Sequence, residues 1–97
     1  MPLMWGWVRG YNAHRMVFEF AMLDDKAQTV ECEISSVAMD DLAGSRGTYP
    51  AKRDAQFLHF RGEIGSIASG IFDEKARKRG EVVRIFSKHV RGAYRVK

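Results

Sequence analysis

The chain has 97 residues, of which 45% are hydrophobic and 29% are charged, and its formal net charge is +4. This length favours a single domain, because two independent units would each be too small to bury a useful core. The composition excludes a disordered chain, no apolar run approaches the roughly 20 residues that cross a bilayer, and the first residues lack the features of a signal peptide. We therefore predict one cytoplasmic domain over residues 1–86 and a basic, flexible tail over residues 87–97.

The first part of the chain reads as β-structure. Large residues at positions 4–9 predict an edge strand, and residues 16–23 and 29–34 alternate between hydrophobic and polar side chains with the period of a strand. The turn-forming residues 24–26 join the latter two segments into a β-hairpin. Its predicted core face carries Met16, Phe18, Phe20, Met22, Val30, Cys32 and Ile34.

Helical patterns follow the hairpin. Ser35 or Ser36 can cap a short helix that Gly44 ends, and a longer helix is predicted over residues 51–71. A hydrophobic stripe on the longer helix is suited to cover the sheet, and glycines within it favour a close approach to the strands. The stripe contains Phe57, Phe60, Ile64, Ile67, Ala68 and Ile71. With a last strand over 81–86, we predict an α+β fold: a small antiparallel sheet of three to four strands, with one short and one longer helix on one face.

Cysteine and histidine residues offer little chemistry. Cys32 is the only cysteine, so one chain can form neither a disulfide nor a cysteine-based zinc site. A catalytic thiol would need a base and an accessible setting, whereas the alternation favours a buried structural thiol between Val30 and Ile34. No pair of histidines has the spacing of metal ligands on one helical face. We predict no catalytic residue, no metal and no cofactor.

Three glutamates of the hairpin share the face opposite the predicted core. Glu19, Glu31 and Glu33 become neighbours if the two strands pair, and three carboxylates can bind a divalent cation. The alternative is a solvated face on which basic residues such as Arg84 or Arg9 neutralise them. The second interpretation is the favoured one.

Two other features each allow two interpretations. Arg61 lies beside the hydrophobic stripe, where it either pairs with a carboxylate such as Asp54 or binds a ligand. Trp5 and Trp7, expected on the same side of the first strand, belong either to the core or to an interface.

The positive charge is concentrated at the C-terminal end. Residues 1–74 contain 7 basic and 11 acidic residues, net −4, whereas residues 75–97 contain 9 basic residues and Glu81 alone, net +8. Such a segment with a nearby tyrosine can contact nucleic-acid phosphates, or it can simply be a solvated surface, since charge alone reads no sequence. The candidate contact residues are Arg77, Lys78, Arg79, Arg84, Lys88, Arg91 and Arg95.

Four short segments together resemble a family of small bacterial proteins, the domain of unknown function 1488 (DUF1488) family. They are the alternation that begins at Val17 and Phe18, the segment Cys32-Glu-Ile-Ser35 with Ala38 and Leu42, the pattern Phe57-x-x-x-Arg61-x-x-Ile64-x-x-Ile67-Ala68, and Gly80-Glu-Val-Val83. The resemblance covers residues 5–86. It implies an α+β fold with no established activity, substrate or cofactor, and it matches family positions at Cys32 and Arg61. The chain departs from this often acidic family in the cationic residues 75–79 and after residue 87.

The sequence leaves two functional hypotheses open. In the first, the chain is a non-enzymatic binding or regulatory module whose basic C-terminal part contacts nucleic-acid phosphates. In the second, it is a homodimeric module that associates through a sheet edge or the tryptophan patch. No nucleophile, base and orienting group belong together, so we predict neither an enzyme nor a small-molecule substrate, and no membrane partner.

Overall fold

The fold is a four-stranded sheet covered on one face by helices. A computed structural model describes residues 3–44, 50–74 and 82–93. The strands are β1 (Met4–Asn12), β2 (Val17–Leu23), β3 (Thr29–Ser35) and β4 (Val83–Ile85), in the order β1-β2-β3-β4. The helices are α1 (Ser36–Ala43), α2 (Arg53–His59), α3 (Arg61–Glu74) and α4 (Ser87–Ala93), with a 3-10 turn over Pro50–Lys52. The predicted α+β fold is confirmed.

The hairpin of β2 and β3 forms as the alternation predicts. Phe18 lies opposite Ile34 and Phe20 lies opposite Cys32, and all four side chains are buried. Asp24 shapes the turn, since its Oδ1 accepts hydrogen bonds from the backbone N–H groups of Lys26 and Gln28. Met16 is an exception to the prediction: it lies before β2 and is 56% exposed.

Strand β1 differs from the predicted alternation because it contains two β-bulges. Trp5 pairs with Met22 and Trp7 pairs with Ala21, so the intervening Gly6 is an extra residue on β1. A Cβ at Gly6 would lie 2.7 Å from the backbone oxygen of Ala21, which explains why glycine fits there. The expectation that Trp5 and Trp7 share a side is therefore wrong: Trp5 packs against the core, and Trp7 lies on the opposite face, 45% exposed.

Helix α1 is bounded by the caps that the sequence predicts. The Oγ of Ser35 accepts a hydrogen bond of 3.1 Å from the backbone N–H of Ala38, which satisfies one free donor of the first turn. Gly44 ends the helix in the left-handed conformation, at φ 69°, and its N–H bonds back to the oxygen of Asp41.

The longer predicted helix is divided into α2 and α3 at Phe60. The hydrogen bonds from Phe60 N–H to Gln56 O and from Ile64 N–H to Phe60 O bridge this junction, so the hydrophobic stripe keeps its direction. Phe57 and Ile64 are fully buried on the sheet. The expected close approach is confirmed at Gly65, where a Cβ would lie 3.2 Å from the Trp5 ring, but not at Gly62 or Gly70, where a Cβ would meet open space.

Strand β4 and helix α4 complete the described fold. Residues Val83 and Ile85 pair with Cys32 and Ile34 in parallel, so the sheet is mixed rather than purely antiparallel. Helix α4 occupies part of the segment interpreted as a tail, and residues 94–97 lie outside the described residues. Across the described part of the chain, every helix is too short or too polar to span a membrane.

Candidate functional site

The basic C-terminal residues are described in part. Arg84 lies on β4, and Lys88 and Arg91 lie on α4. The remaining candidate contact residues, Arg77, Lys78, Arg79 and Arg95, lie outside the described residues. The geometry of this candidate site therefore rests on three side chains carried by two consecutive elements.

Arg84 points away from the core, as strand alternation requires. Its neighbours Val83 and Ile85 are buried, whereas its own side chain is 53% exposed. The pairing of β3 with β4 places it opposite Glu33, and its Nε donates a hydrogen bond of 3.1 Å to Glu33 Oε2. This contact uses one of the donor positions of the guanidinium, which has five N–H groups in total.

Helix α4 presents Lys88 and Arg91 to solvent while Val90 packs into the core. The two cations are three residues apart, so they lie on neighbouring parts of the helix surface. The first turn is held by His89, whose Nδ1 accepts a 2.9 Å hydrogen bond from the backbone N–H of Phe86. Arg91 is 75% exposed, and its Nε lies 3.7 Å from Asp41 Oδ2 on α1, so this ion pair is loose.

The open face of the sheet carries a network of arginines and glutamates. Arg9 donates two hydrogen bonds to Glu31, at 2.8 and 2.6 Å, and Arg15 donates two to Glu33, each of 2.9 Å. These bonds raise the pKa of Arg9 and Arg15 above the ordinary value, because the bound carboxylates favour the protonated guanidinium. Arg15 also lies 3.5 Å from Glu19.

Glu33 is the centre of this network. It is only 6% exposed, and both Arg15 and Arg84 bind its carboxylate. The predicted partners are confirmed for two of the three glutamates, by the Arg9–Glu31 and Arg84–Glu33 pairs, whereas Glu19 lies beside Arg15. The expectation of a solvated face is wrong for Glu33, which is buried. Arg15 was not predicted from the sequence, because its position in the β1–β2 turn has no periodic signal.

The other singled-out residues have structural surroundings. Cys32 is 2% exposed in the core, as the buried-thiol interpretation predicts. The guanidinium of Arg61 lies 5.7 Å from the centre of the Trp5 ring, so its described partner is an aromatic ring rather than the carboxylate of Asp54. Among the described residues, no three histidine, cysteine or acidic side chains are grouped to hold a metal ion.

A second polar cluster, formed by Arg53, Asp40 and Gln56, joins α1 to α2 and was not predicted from the sequence. Arg53 is 4% exposed, and its Nη1 donates to Asp40 Oδ1 at 2.7 Å and to Gln56 Oε1 at 2.6 Å. The guanidinium also lies 5.4 Å from the centre of the Tyr11 ring. The burial of this cluster and its fixed partners indicate a structural role.

Comparison with solved structures finds one chain with a similar fold. A crystal structure of a protein of unknown function of the DUF1488 family, from Shewanella loihica PV-4, superposes with a TM-score of 0.68. The two sequences are 13% identical, and the match covers 86% of this chain and 90% of the other. The chain has the same fold as this DUF1488 protein. The resemblance to DUF1488 predicted from the sequence is thus confirmed at the level of the fold, and no family model and no curated protein matches the chain.

Proposed function

We propose that the protein is a non-enzymatic binding module whose basic C-terminal part contacts the phosphates of nucleic acids. The observation that carries this proposal is the exposure of Arg84, Lys88 and Arg91 on two consecutive elements. These side chains belong to the segment 75–97, which has a net charge of +8. Phosphate binding depends on accessible cations.

The acidic neighbours leave much of this charge available. Glu33 receives two hydrogen bonds from Arg15, so it stays paired if Arg84 turns toward a phosphate. The contact between Arg91 and Asp41, at 3.7 Å, exceeds hydrogen-bond length. Turning either arginine toward a phosphate therefore gives up only one weak or replaceable contact with a carboxylate. A guanidinium also suits the bidentate geometry of a phosphate.

The proposed contacts reach the nucleic-acid backbone and do not read bases. Phosphate contacts fix a protein on its nucleic acid but carry no direct sequence information. We therefore expect weak binding without sequence preference and with a strong dependence on salt concentration.

Replacing Arg84, Lys88 and Arg91 together by glutamine is expected to weaken binding and to flatten its salt dependence. Three lost phosphate contacts lower the slope of log K against log salt by about 2 to 3, because each contact contributes about 0.9 on duplex DNA. The measurement is fluorescence anisotropy with the full chain, a short random-sequence DNA duplex and a single-stranded RNA, from about 50 to about 200 mM salt.

A control variant removes the same charge elsewhere. Arg9, Lys26 and Lys52 are exposed and lie outside the basic C-terminal part, so their joint replacement by glutamine should leave most of the affinity intact. Equal losses in both triple variants would show a response to net charge and would contradict a localised site. Absence of binding to either probe at low salt would contradict the proposal as a whole.

A second candidate function is a homo-oligomeric protein-protein interaction module. The observation that favours it is the position of β1 at the edge of the sheet, with Met4, Trp7 and Val8 exposed. The bulges next to Gly6 and Arg9 interrupt the regular edge, so a side-chain contact through Trp7 is more compatible with this strand than a long intermolecular ladder.

Self-association through Trp7 predicts a dimer population that rises with protein concentration and falls in Trp7→Ser. Removing an exposed aromatic anchor weakens an interface that depends on it. Sedimentation velocity over a concentration series measures the effect, and Leu58→Ser is the matched control because Leu58 is also a large hydrophobic residue and is 56% exposed on α2. A monomer at every concentration would exclude this alternative.

A further inference from the structure

The helical side of the molecule contains an open pocket that shares Arg91 alone with the proposed phosphate contacts. Its volume is about 480 Å³, within the roughly 300 to 1,000 Å³ of small-molecule sites. It lies between α1, the start of α3 and α4. The lining residues are three hydrophobic and three charged side chains: Leu42, Phe60, Val90, Asp41, Glu63 and Arg91. An apolar wall with a few charged groups is the usual composition of a site that orients a small ligand.

The charges at the pocket favour a cation. Asp41 and Glu63 supply two carboxylates, and Arg91 supplies one guanidinium. Arg91 is 75% exposed, so its side chain can leave the pocket for solvent, whereas Asp41 is held on α1 with 26% of its side chain exposed. With Arg91 turned outward, the remaining charge of the pocket is negative.

Asp41 contains an unsatisfied acceptor at the pocket wall. Its Oδ2 is buried and has no hydrogen-bond partner among the described residues. The nearest cation in the described part of the chain, Nε of Arg91, lies 3.7 Å away, which is too long for a hydrogen bond. A buried carboxylate oxygen without a donor is unfavourable, so a better placed donor would be bound in preference to Arg91.

We propose that this pocket binds a small amphiphilic amine, meaning a primary ammonium group on a compact hydrophobic body. The ammonium donates hydrogen bonds to Asp41 and Glu63, and the body packs on Leu42, Phe60 and Val90. Arg91 and the ligand compete for the same carboxylate, so binding turns Arg91 outward. Amine binding needs no nucleic acid, although Arg91 is shared with the proposed phosphate contacts.

The test is a titration of the full chain with phenethylamine, followed by two-dimensional amide NMR. We expect saturable shifts that are largest at the amides of Leu42, Phe60 and Val90. Asp41→Asn should weaken the affinity about tenfold or more, because it removes a charge-assisted hydrogen bond. Arg91→Gln should tighten binding, because it removes the competing cation.

Two further variants make the test decisive. Glu63→Gln changes an exposed residue and is expected to weaken binding in a folded protein, whereas Asp54→Asn, an exposed aspartate outside the pocket, should leave the affinity unchanged. The proposal is overturned if no saturable shifts occur, if phenylacetate binds as tightly as phenethylamine, or if Arg91→Gln abolishes amine binding. Because no nucleic acid is present, these outcomes are independent of the phosphate-binding experiment.

Discussion

Replacing Phe57 by alanine is expected to lower the free energy of unfolding by about 3 to 5 kcal/mol. Phe57 is fully buried at the contact between α2 and the sheet. Its ring stacks on Phe18 with centroids 4.4 Å apart, lies 5.0 Å from Phe20 and meets Trp5 edge to face at 5.8 Å. The truncation leaves a cavity between three large aromatic rings that cannot close together, so it costs more than the lost contact area alone.

Urea unfolding followed by circular dichroism measures this loss. Leu58→Ala is the control, because Leu58 is the next residue of α2 but is 56% exposed. We expect this control to change the free energy of unfolding by about 0.5 kcal/mol or less. A loss below about 1 kcal/mol in Phe57→Ala would be typical of a surface position and would contradict the central role of this ring.

The hairpin was predictable because its signal is local. Alternation in β2 and β3 reports which side chains face the helices, and Phe18, Phe20, Cys32 and Ile34 are all buried as expected. The same rule fails on β1 because two bulges change its period. Trp5 and Tyr11 pack against the core, and Val8, which is 43% exposed, lies between them at the same spacing of three.

The C-terminal part depends on contacts that local patterns do not report. Val83 and Ile85 identify a strand, but its parallel pairing with β3 depends on how the helices cross between the two strands. Helix α4 has a weak pattern of its own, and Val90 is its buried contact with the core. Tertiary packing therefore decides its structure.

The candidate site, too, was predictable only where the signal is local. Alternation next to Val83 and Ile85 indicates that Arg84 is exposed, and the pairing of Arg84 with Glu33 follows once the parallel register is known. The positions of Lys88 and Arg91 require α4. Arg15 was missed because turn residues have no periodicity, although it provides two of the bonds that hold Glu33.

Arg53 is a buried cation whose guanidinium binds Asp40 and Gln56, so its replacement is expected to have a large effect on stability. Arg53→Met should lower the free energy of unfolding by about 3 to 5 kcal/mol, since it leaves the largely buried carboxylate of Asp40 without its 2.7 Å partner. Urea unfolding measures the loss, and Lys52→Met, at the exposed neighbouring position, should remain within about 0.5 kcal/mol of the parent chain. Adding Asp40→Leu to Arg53→Met should restore much of the stability, because the buried carboxylate that lost its guanidinium is then removed as well. A double variant less stable than Arg53→Met alone would show instead that Asp40 stabilises the junction of α1 and α2 through its other contacts, among them the 3.2 Å bond from Gln56 Nε2.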